Sequence, residues 1–330
     1  MNRIGIIGAG AWGTALATIA RRTGADVIIW GRNTRTIDAI NTQHCNTARL
    51  PDIALDPAIR ATANPADLAD CSMLLLAAPA QHLRNVCGFF VMHVRNGTPA
   101  LICAKGIERE TGMMMSAVVA QALPQARIAA LSGPSFAADV ARGLPTAVTL
   151  ACEDEVLGTE LVETIGTTSF RPYFTDDVIG TEIGGAAKNV LAIASGIVSG
   201  KGLGASAGAA LTTRGFAELA RLGLALGARP ETLSGLSGLG DLILTCGNLQ
   251  SRNMAFGHAL GAGKSVREAT DASSAVSEGI WTARALVAMA DGLGVEMPIA
   301  RAVDDVLSER MSVEDAIRSL LARPFRSERG

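Results

Sequence analysis

The sequence predicts an α/β protein: a doubly wound sheet over residues 1–179, followed by an all-α domain over 180–330. Three observations carry this. The apolar run Ile4-Gly5-Ile6-Ile7 leads into Gly8-Ala9-Gly10-Ala11-Trp12-Gly13 and then into a helix-forming run, 14–22. Further strand-like runs at 72–78, 100–103, 127–131 and 146–151 alternate with helical stretches, the pattern of a sheet covered on both faces. From about Gly180 the strands give way to Ala-, Leu- and Gly-rich helical segments at 181–199, 206–226, 231–237, 252–261, 265–271, 276–292, 298–308 and 312–322.

The opening turn is the strongest local signal. In a strand–turn–helix of this kind, Gly8 permits the tight turn and Gly10 lets the backbone approach a pyrophosphate. Gly13 lets the helix pack closely on the sheet, with the anion at the helix N-terminus. Gly24-Ala25 then introduces a second strand, 26–30, completing a β-α-β unit of the Rossmann type. That strand ends in Gly31-Arg32-Asn33, where an NAD-specific site usually carries an acidic residue and an NADP site an arginine. The first acid downstream is Asp38, so Arg32 can pair a 2′-phosphate, and NADP(H) is expected beside NAD(H). Arg32 can also be read as a solvated strand-end arginine.

Length and composition narrow the function classes. A chain of 330 residues can bury a large core in two domains. It is 48% hydrophobic, only 4% aromatic and 18% charged, with a net charge of −2, so it offers no basic face for nucleic acid or a membrane surface. No uninterrupted apolar stretch is long enough to span a bilayer and no signal peptide is evident, so the expectation is cytoplasmic, without membrane insertion. The six cysteines (45, 71, 87, 103, 152, 246) show no C-x-x-C spacing and the four histidines (44, 82, 93, 258) no ligand spacing. Reduced structural thiols and no metal site follow. The apolar helices are compatible with a homodimer.

Three strands end in distinctive loops: Pro79, Lys105-Gly106, and Ser132-Gly133-Pro134-Ser135. In open α/β sheets ligands bind at the carboxyl ends of strands, so these loops line the crevice of the glycine turn. The first helix of the second domain is apolar on nearly every side but carries Lys188-Asn189 at its centre. A lysine there either exchanges a proton near neutral pH, as alcohol–ketone interconversion requires, or snorkels to the surface. Asp241 and Thr245, four apart, share a helical face. Ser251-Arg252-Asn253 is a donor-rich cluster at a helix start, suited to phosphate, or else a capped loop with a solvated arginine.

Together these residues resemble the bacterial NAD(P)-dependent sn-glycerol-3-phosphate dehydrogenases over essentially the whole chain. The motifs are Gly8-Ala-Gly-Ala-Trp-Gly-Thr-Ala-Leu-Ala17, Lys105-Gly-Ile-Glu108, Ser132-Gly-Pro-Ser-Phe-Ala137, Glu182-Ile-Gly-Gly-Ala-Ala-Lys-Asn-Val190, Thr213-Arg-Gly-Phe-Ala-Glu218, Gly238-Leu-Gly-Asp-Leu242 and Gln250-Ser-Arg-Asn253. The resemblance implies hydride transfer between the nicotinamide and dihydroxyacetone phosphate or sn-glycerol 3-phosphate, with the product feeding phospholipid synthesis. It implies Lys188 as proton acceptor and Lys105 in contact with both cofactor and substrate. Gly133, Ser135, Asn189, Asp241, Ser251, Arg252 and Asn253 fall in the substrate pocket, joined by Thr245 through its spacing from Asp241. Ala11, Trp12, Arg32, Ala137, Arg252, Val276 and Glu278 fall on the cofactor beside Gly8, Gly10 and Gly13.

One segment departs from the family pattern: Ser206 stands where Asn is usual and Gly208 where a basic residue is usual. Two other readings compete. A 3-hydroxyacid-type dehydrogenase shares the nucleotide fold, the helical domain and a lysine followed by asparagine, but its substrate carries a carboxylate. A non-catalytic NADP-sensing protein would keep the nucleotide domain and lose turnover; the intact Lys188, Asp241 and Arg252 speak against such decay.

Overall fold

The computed structural model describes residues 3–272 and 278–324. Ten strands occur among them: β1 (Arg3–Ile7), β2 (Asp26–Trp30), β3 (Cys45–Asn46), β4 (Leu50–Ala54), β5 (Arg60–Thr62), β6 (Met73–Leu76), β7 (Pro99–Ile102), β8 (Arg127–Ser132), β9 (Thr146–Ala151) and β10 (Phe170–Thr175). Eight form one sheet in the order β10-β9-β8-β7-β6-β1-β2-β5, while β3 and β4 make a small antiparallel pair. From β5 to β8 all neighbours are parallel. Numbered by themselves, these six strands have the 3-2-1-4-5-6 order of dinucleotide-binding sheets. β9 then reverses against β8, and β10 runs parallel to β9.

The apolar runs were legible as strands, but direction was not, and β10 gave no apolar signal. It is an edge strand carrying Pro172 and a half-exposed Tyr173, which an interior strand would not tolerate. Within the sheet, alternate side chains serve opposite faces. Ile4, Ile6, Met73 and Leu75 join one core, and Ile7, Leu74 and Leu76 the other. The carboxyl ends of β1, β6, β7 and β8 share one edge, which brings the glycine turn, Pro79, Lys105 and Gly133 together.

The second core surrounds the helix Val178–Gly200. Asp177 starts it, accepting from Gly180 N–H at 2.8 Å through one carboxylate oxygen and from Arg229 N–H at 2.8 Å through the other. This helix has the length and hydropathy to cross a membrane, yet 89% of its most apolar window is buried inside the protein, so it is the spine of the helical domain. The helix Arg252–Gly261 lies against it backbone to backbone. A Cβ on Gly257 would stand 2.0 Å from the Ile193 carbonyl oxygen, and one on Gly196 would stand 2.1 Å from that of Met254. This close approach sets Asn253, on the first turn of Arg252–Gly261, against Asn189 of the spine helix.

Gly257→Ala must therefore separate two backbones. It is expected to destabilise the protein by at least the ~1–3 kcal/mol of an overpacked core, read from chemical denaturation; an unchanged midpoint would refute the contact.

Candidate active site

The glycine turn has the geometry the sequence predicts. Gly8 sits at φ +122°, and a Cβ on Gly13 would lie 1.9 Å from the Gly8 carbonyl oxygen, so neither position admits a side chain. Around Gly10 the space is open for at least 4 Å, which is where a phosphate can approach. The helix Ala11–Arg22 starts at Gly10 with no side-chain cap and no acid in its first turn, leaving its N-terminal dipole to an external anion. The Trp12 indole N–H is buried without a hydrogen-bond partner among the described residues. These features fit a dinucleotide.

Arg32 is exposed just beyond β2, and Asp38 lies on the following helix, Thr34–Gln43, as expected. A Cβ on Gly31 would touch that of Ala9 at 2.8 Å, so the Arg32 segment runs directly beside the turn. Sequence reasoning did not single out Arg35, exposed on the first turn of that helix. A second cation three residues after Arg32 was the available signal.

The chemical centre is a bridge of three charges. Asp241, at the start of the short helix Asp241–Cys246, accepts from Lys188 Nζ at 2.8 Å on one carboxylate oxygen and from Lys105 Nζ at 2.7 Å on the other. Lys188 Nζ also donates to Thr245 Oγ1 at 2.9 Å, and Lys105 Nζ to the Gly133 carbonyl at 3.0 Å. Lys188 does not snorkel: it is 8% exposed, and Asp241 is 1% exposed. Burial pushes the Lys188 ammonium down to about 8; Asp241 opposes the shift and the nearby Lys105 charge assists it. For Asp241 burial works in the other direction, but the two ammonium groups outweigh it and hold the carboxyl below its usual range.

A chain of amides surrounds this bridge. Asn189 Nδ2 donates to the Lys105 carbonyl at 3.2 Å, Asn253 Nδ2 to Asn189 Oδ1 at 3.0 Å, and Gly279 N–H to Asn253 Oδ1 at 3.0 Å. Glu278 accepts from Ala80 N–H at 3.2 Å through Oε1, while its Oε2 is buried without a partner among the described residues. Burial raises its pKa to about 7, against the Ala80 N–H and the Arg252 charge. Ser251 caps the helix Arg252–Gly261 by accepting from Met254 N–H at 3.3 Å, and Arg252 is exposed on its first turn.

Ser135 Oγ donates to the Gly133 carbonyl at 3.0 Å, and Ala137 opens the helix Ala137–Arg142, packed on the nucleotide-domain core. Val276 lies outside the described residues. Ser206 and Gly208, the departures from the family pattern, lie in the first turn of the helix Ala205–Ala225; Ser206 is exposed and Gly208 has open space where a Cβ would stand. Glu182 accepts from Ser116 N–H at 2.8 Å and Ser116 Oγ at 2.5 Å, tying the spine helix to the start of the nucleotide-domain helix Met115–Ala122.

A parallel 3-2-1-4-5-6 sheet with this turn, facing a buried lysine held by a carboxylate, defines an NAD(P)-dependent oxidoreductase of the two-domain type. Two family models, described as the N-terminus and C-terminus of NAD-dependent glycerol-3-phosphate dehydrogenase, match residues 3–157 and 177–318. The chain is 56% identical over 327 residues to a glycerol-3-phosphate dehydrogenase [NAD(P)+] of Parvibaculum lavamentivorans, covering 99% of this chain and 98% of the relative. It is 54% identical to one of Caulobacter vibrioides, covering 99% of each. The crystal structure of glycerol-3-phosphate dehydrogenase from Coxiella burnetii superposes with a TM-score of 0.93 at 37% identity, covering 98% of this chain and 99% of that one. The chain belongs to the NAD-dependent glycerol-3-phosphate dehydrogenase family.

Asp241→Asn would leave the buried Lys188 and half-buried Lys105 ammonium groups facing one another. Stability is expected to fall by about 3–5 kcal/mol. The pH at which Lys188 loses its proton is expected to move down, because the group that held the proton is gone while burial and Lys105 remain. Denaturation and the alkaline limb of the rate profile check both.

Proposed function

We propose that this enzyme reduces dihydroxyacetone phosphate to sn-glycerol 3-phosphate, with Lys188 as the proton donor and its bridge to Asp241 as the observation that carries the reading. When bound, the reduced nicotinamide supplies the hydride. Lys188, partly protonated near its pKa of about 8, gives its proton to the oxygen that becomes the alcohol, and takes it back in the reverse reaction. Lys105, fixed by Asp241 and the Gly133 carbonyl, supports developing negative charge on that oxygen. Ser251, Arg252 and Asn253 receive the phosphate, with Ser135, Gly133, Asn189 and Thr245 shaping the rest of the pocket.

On the cofactor side, Gly8, Gly10, Ala11, Trp12 and Gly13 cradle the pyrophosphate. Ala137, Val276 and Glu278 line the dinucleotide, with Lys105 and Arg252 reaching it, and Arg32 pairs the 2′-phosphate of NADP(H). The division at 179/180 into a nucleotide-binding and a substrate domain belongs to the same reading, supported by the spine helix beginning at Val178. So do a cytoplasmic location without membrane insertion, a product destined for phospholipid synthesis, and a homodimer. Exposed Leu224, Ile243 and Leu249 on the helical domain support the last.

The test is oxidation of NADPH by the purified protein with dihydroxyacetone phosphate, followed at the nicotinamide absorbance; no oxidation would overturn the reading. Lys188→Ala is expected to lower turnover by roughly 10²–10⁴ with cofactor affinity retained, and full activity would show the proton comes from elsewhere. In the wild type, reduction needs the ammonium, so its rate should fall as pH rises through about 8, whereas oxidation needs the amine and should rise. Arg32→Ala should weaken NADPH far more than NADH; equal losses would remove the 2′-phosphate assignment.

A further inference from the structure

A glycine turn presents N–H groups to an anion only if its own carbonyl oxygens are turned away and held there, since a carbonyl dipole facing a pyrophosphate would repel it. Three are held. The Gly8 oxygen lies against Gly13, with no room for a side chain between them. The Gly10 oxygen accepts from Thr14 N–H and Thr14 Oγ1, each at 2.9 Å. The Ala9 oxygen accepts from Asn46 Nδ2 at 3.1 Å, and the same nitrogen donates to Thr14 Oγ1 at 2.8 Å.

The donor count fixes the direction of every bond. A carbonyl can only accept, so Asn46 must face Ala9 with its NH₂ group, whose two hydrogens go to Ala9 O and Thr14 Oγ1. The threonine hydroxyl then has its own hydrogen for Gly10 O. One carboxamide thus holds the Ala9 carbonyl directly and orients the hydroxyl that, beside the helix's own first N–H bond, holds that of Gly10. It comes from outside the β-α-β unit: the helix Thr34–Gln43 ends at His44 in the left-handed region, φ +51°, and the chain turns back through β3 to the turn. Asn46 is 0% exposed, and its Oδ1 has no partner among the described residues. Burying that oxygen without a partner costs desolvation.

We propose that Asn46 is a positioning residue for the cofactor pyrophosphate: it holds the Ala9 carbonyl inward directly, and through the Thr14 hydroxyl it secures that of Gly10, so that the N–H groups of the turn aim outward. This rests on reading the turn as the dinucleotide site. Because the pyrophosphate is common to both cofactors, the effect must not distinguish them, in contrast to Arg32.

Calorimetric titration of NADPH and of NADH into wild type, Asn46→Ala, Thr14→Val and Thr14→Ser tests it, with thermal melts to establish folding and kcat measured at saturating cofactor. Asn46→Ala and Thr14→Val are expected to raise both dissociation constants by a similar factor, roughly ten-fold. Thr14→Ser, which keeps the hydroxyl, should bind like wild type, and kcat of the two weakened variants should stay close to that of wild type. Unchanged affinity in folded Asn46→Ala, a loss confined to NADPH, or a loss confined to kcat would overturn the proposal. If Asn46→Ala does not fold, equal affinities in Thr14→Val and Thr14→Ser would overturn it. A wild type that binds neither nucleotide would overturn the reading of the turn itself, and the proposal with it.

Discussion

One carboxylate joins the two halves of this molecule. Asp241 takes Lys105 from the end of β7 and Lys188 from the spine helix, one on each oxygen. Buried ion pairs are poor evidence of stability, because desolvation of the charges can exceed their attraction. The bridge makes sense as chemistry. With burial and Lys105 acting alone, the Lys188 ammonium would be pushed further from its ordinary pKa, and with Asp241 acting alone it would remain a fixed cation. The balance leaves it near 8, where it can both give and take a proton.

The surroundings hold that balance in place. The Lys105 loop is gripped on its far side by Arg84, whose guanidinium forks onto Glu108 at 2.9 and 2.8 Å, and by Gln81, which brackets it at Ile107 O (2.7 Å) and Arg109 N–H (3.0 Å). On its near side the loop's backbone is held by Asn189, and through Asn253 the chain of amides continues to Gly279, beside Glu278. A cofactor lying along Glu278 would therefore touch the same network that fixes Lys105. Glu182, six residues before Lys188, ties the spine helix to Ser116. Catalytic groups on rigid elements with committed neighbours keep their geometry without reorganisation when charge develops.

What the sequence made legible follows the range of the interaction. The glycine turn is local: three glycines, a strand before and a helix after suffice, and the structure adds only distances. Asp241 and Thr245 were legible as a pair because they sit one helical turn apart. That Asp241 grips Lys105 and Lys188 could not be read from spacing, since the partners are 136 and 53 residues away and no periodicity connects them. Asn46 was silent for the same reason: it acts on Ala9 across 37 residues from a two-residue strand with no apolar pattern. The edge strand β10 and the reversal at β9 were hidden because strand direction is decided by the packing of connections, which residue types do not record.

The polar groups left over argue for the kind of ligand the pocket takes. Asn253 spends its oxygen on Gly279 N–H and one nitrogen hydrogen on Asn189, so it has a donor to spare and its oxygen is engaged. Ser251 spends acceptor capacity on capping its helix and keeps its hydroxyl hydrogen. With Lys188 protonated, Lys105, Lys188 and Asp241 together carry one excess positive charge. Among the described residues, Asn253 and Ser251 thus retain donors while their oxygens accept within the protein. A group that only accepts hydrogen bonds matches those donors, which is the chemistry the proposed phosphate position requires.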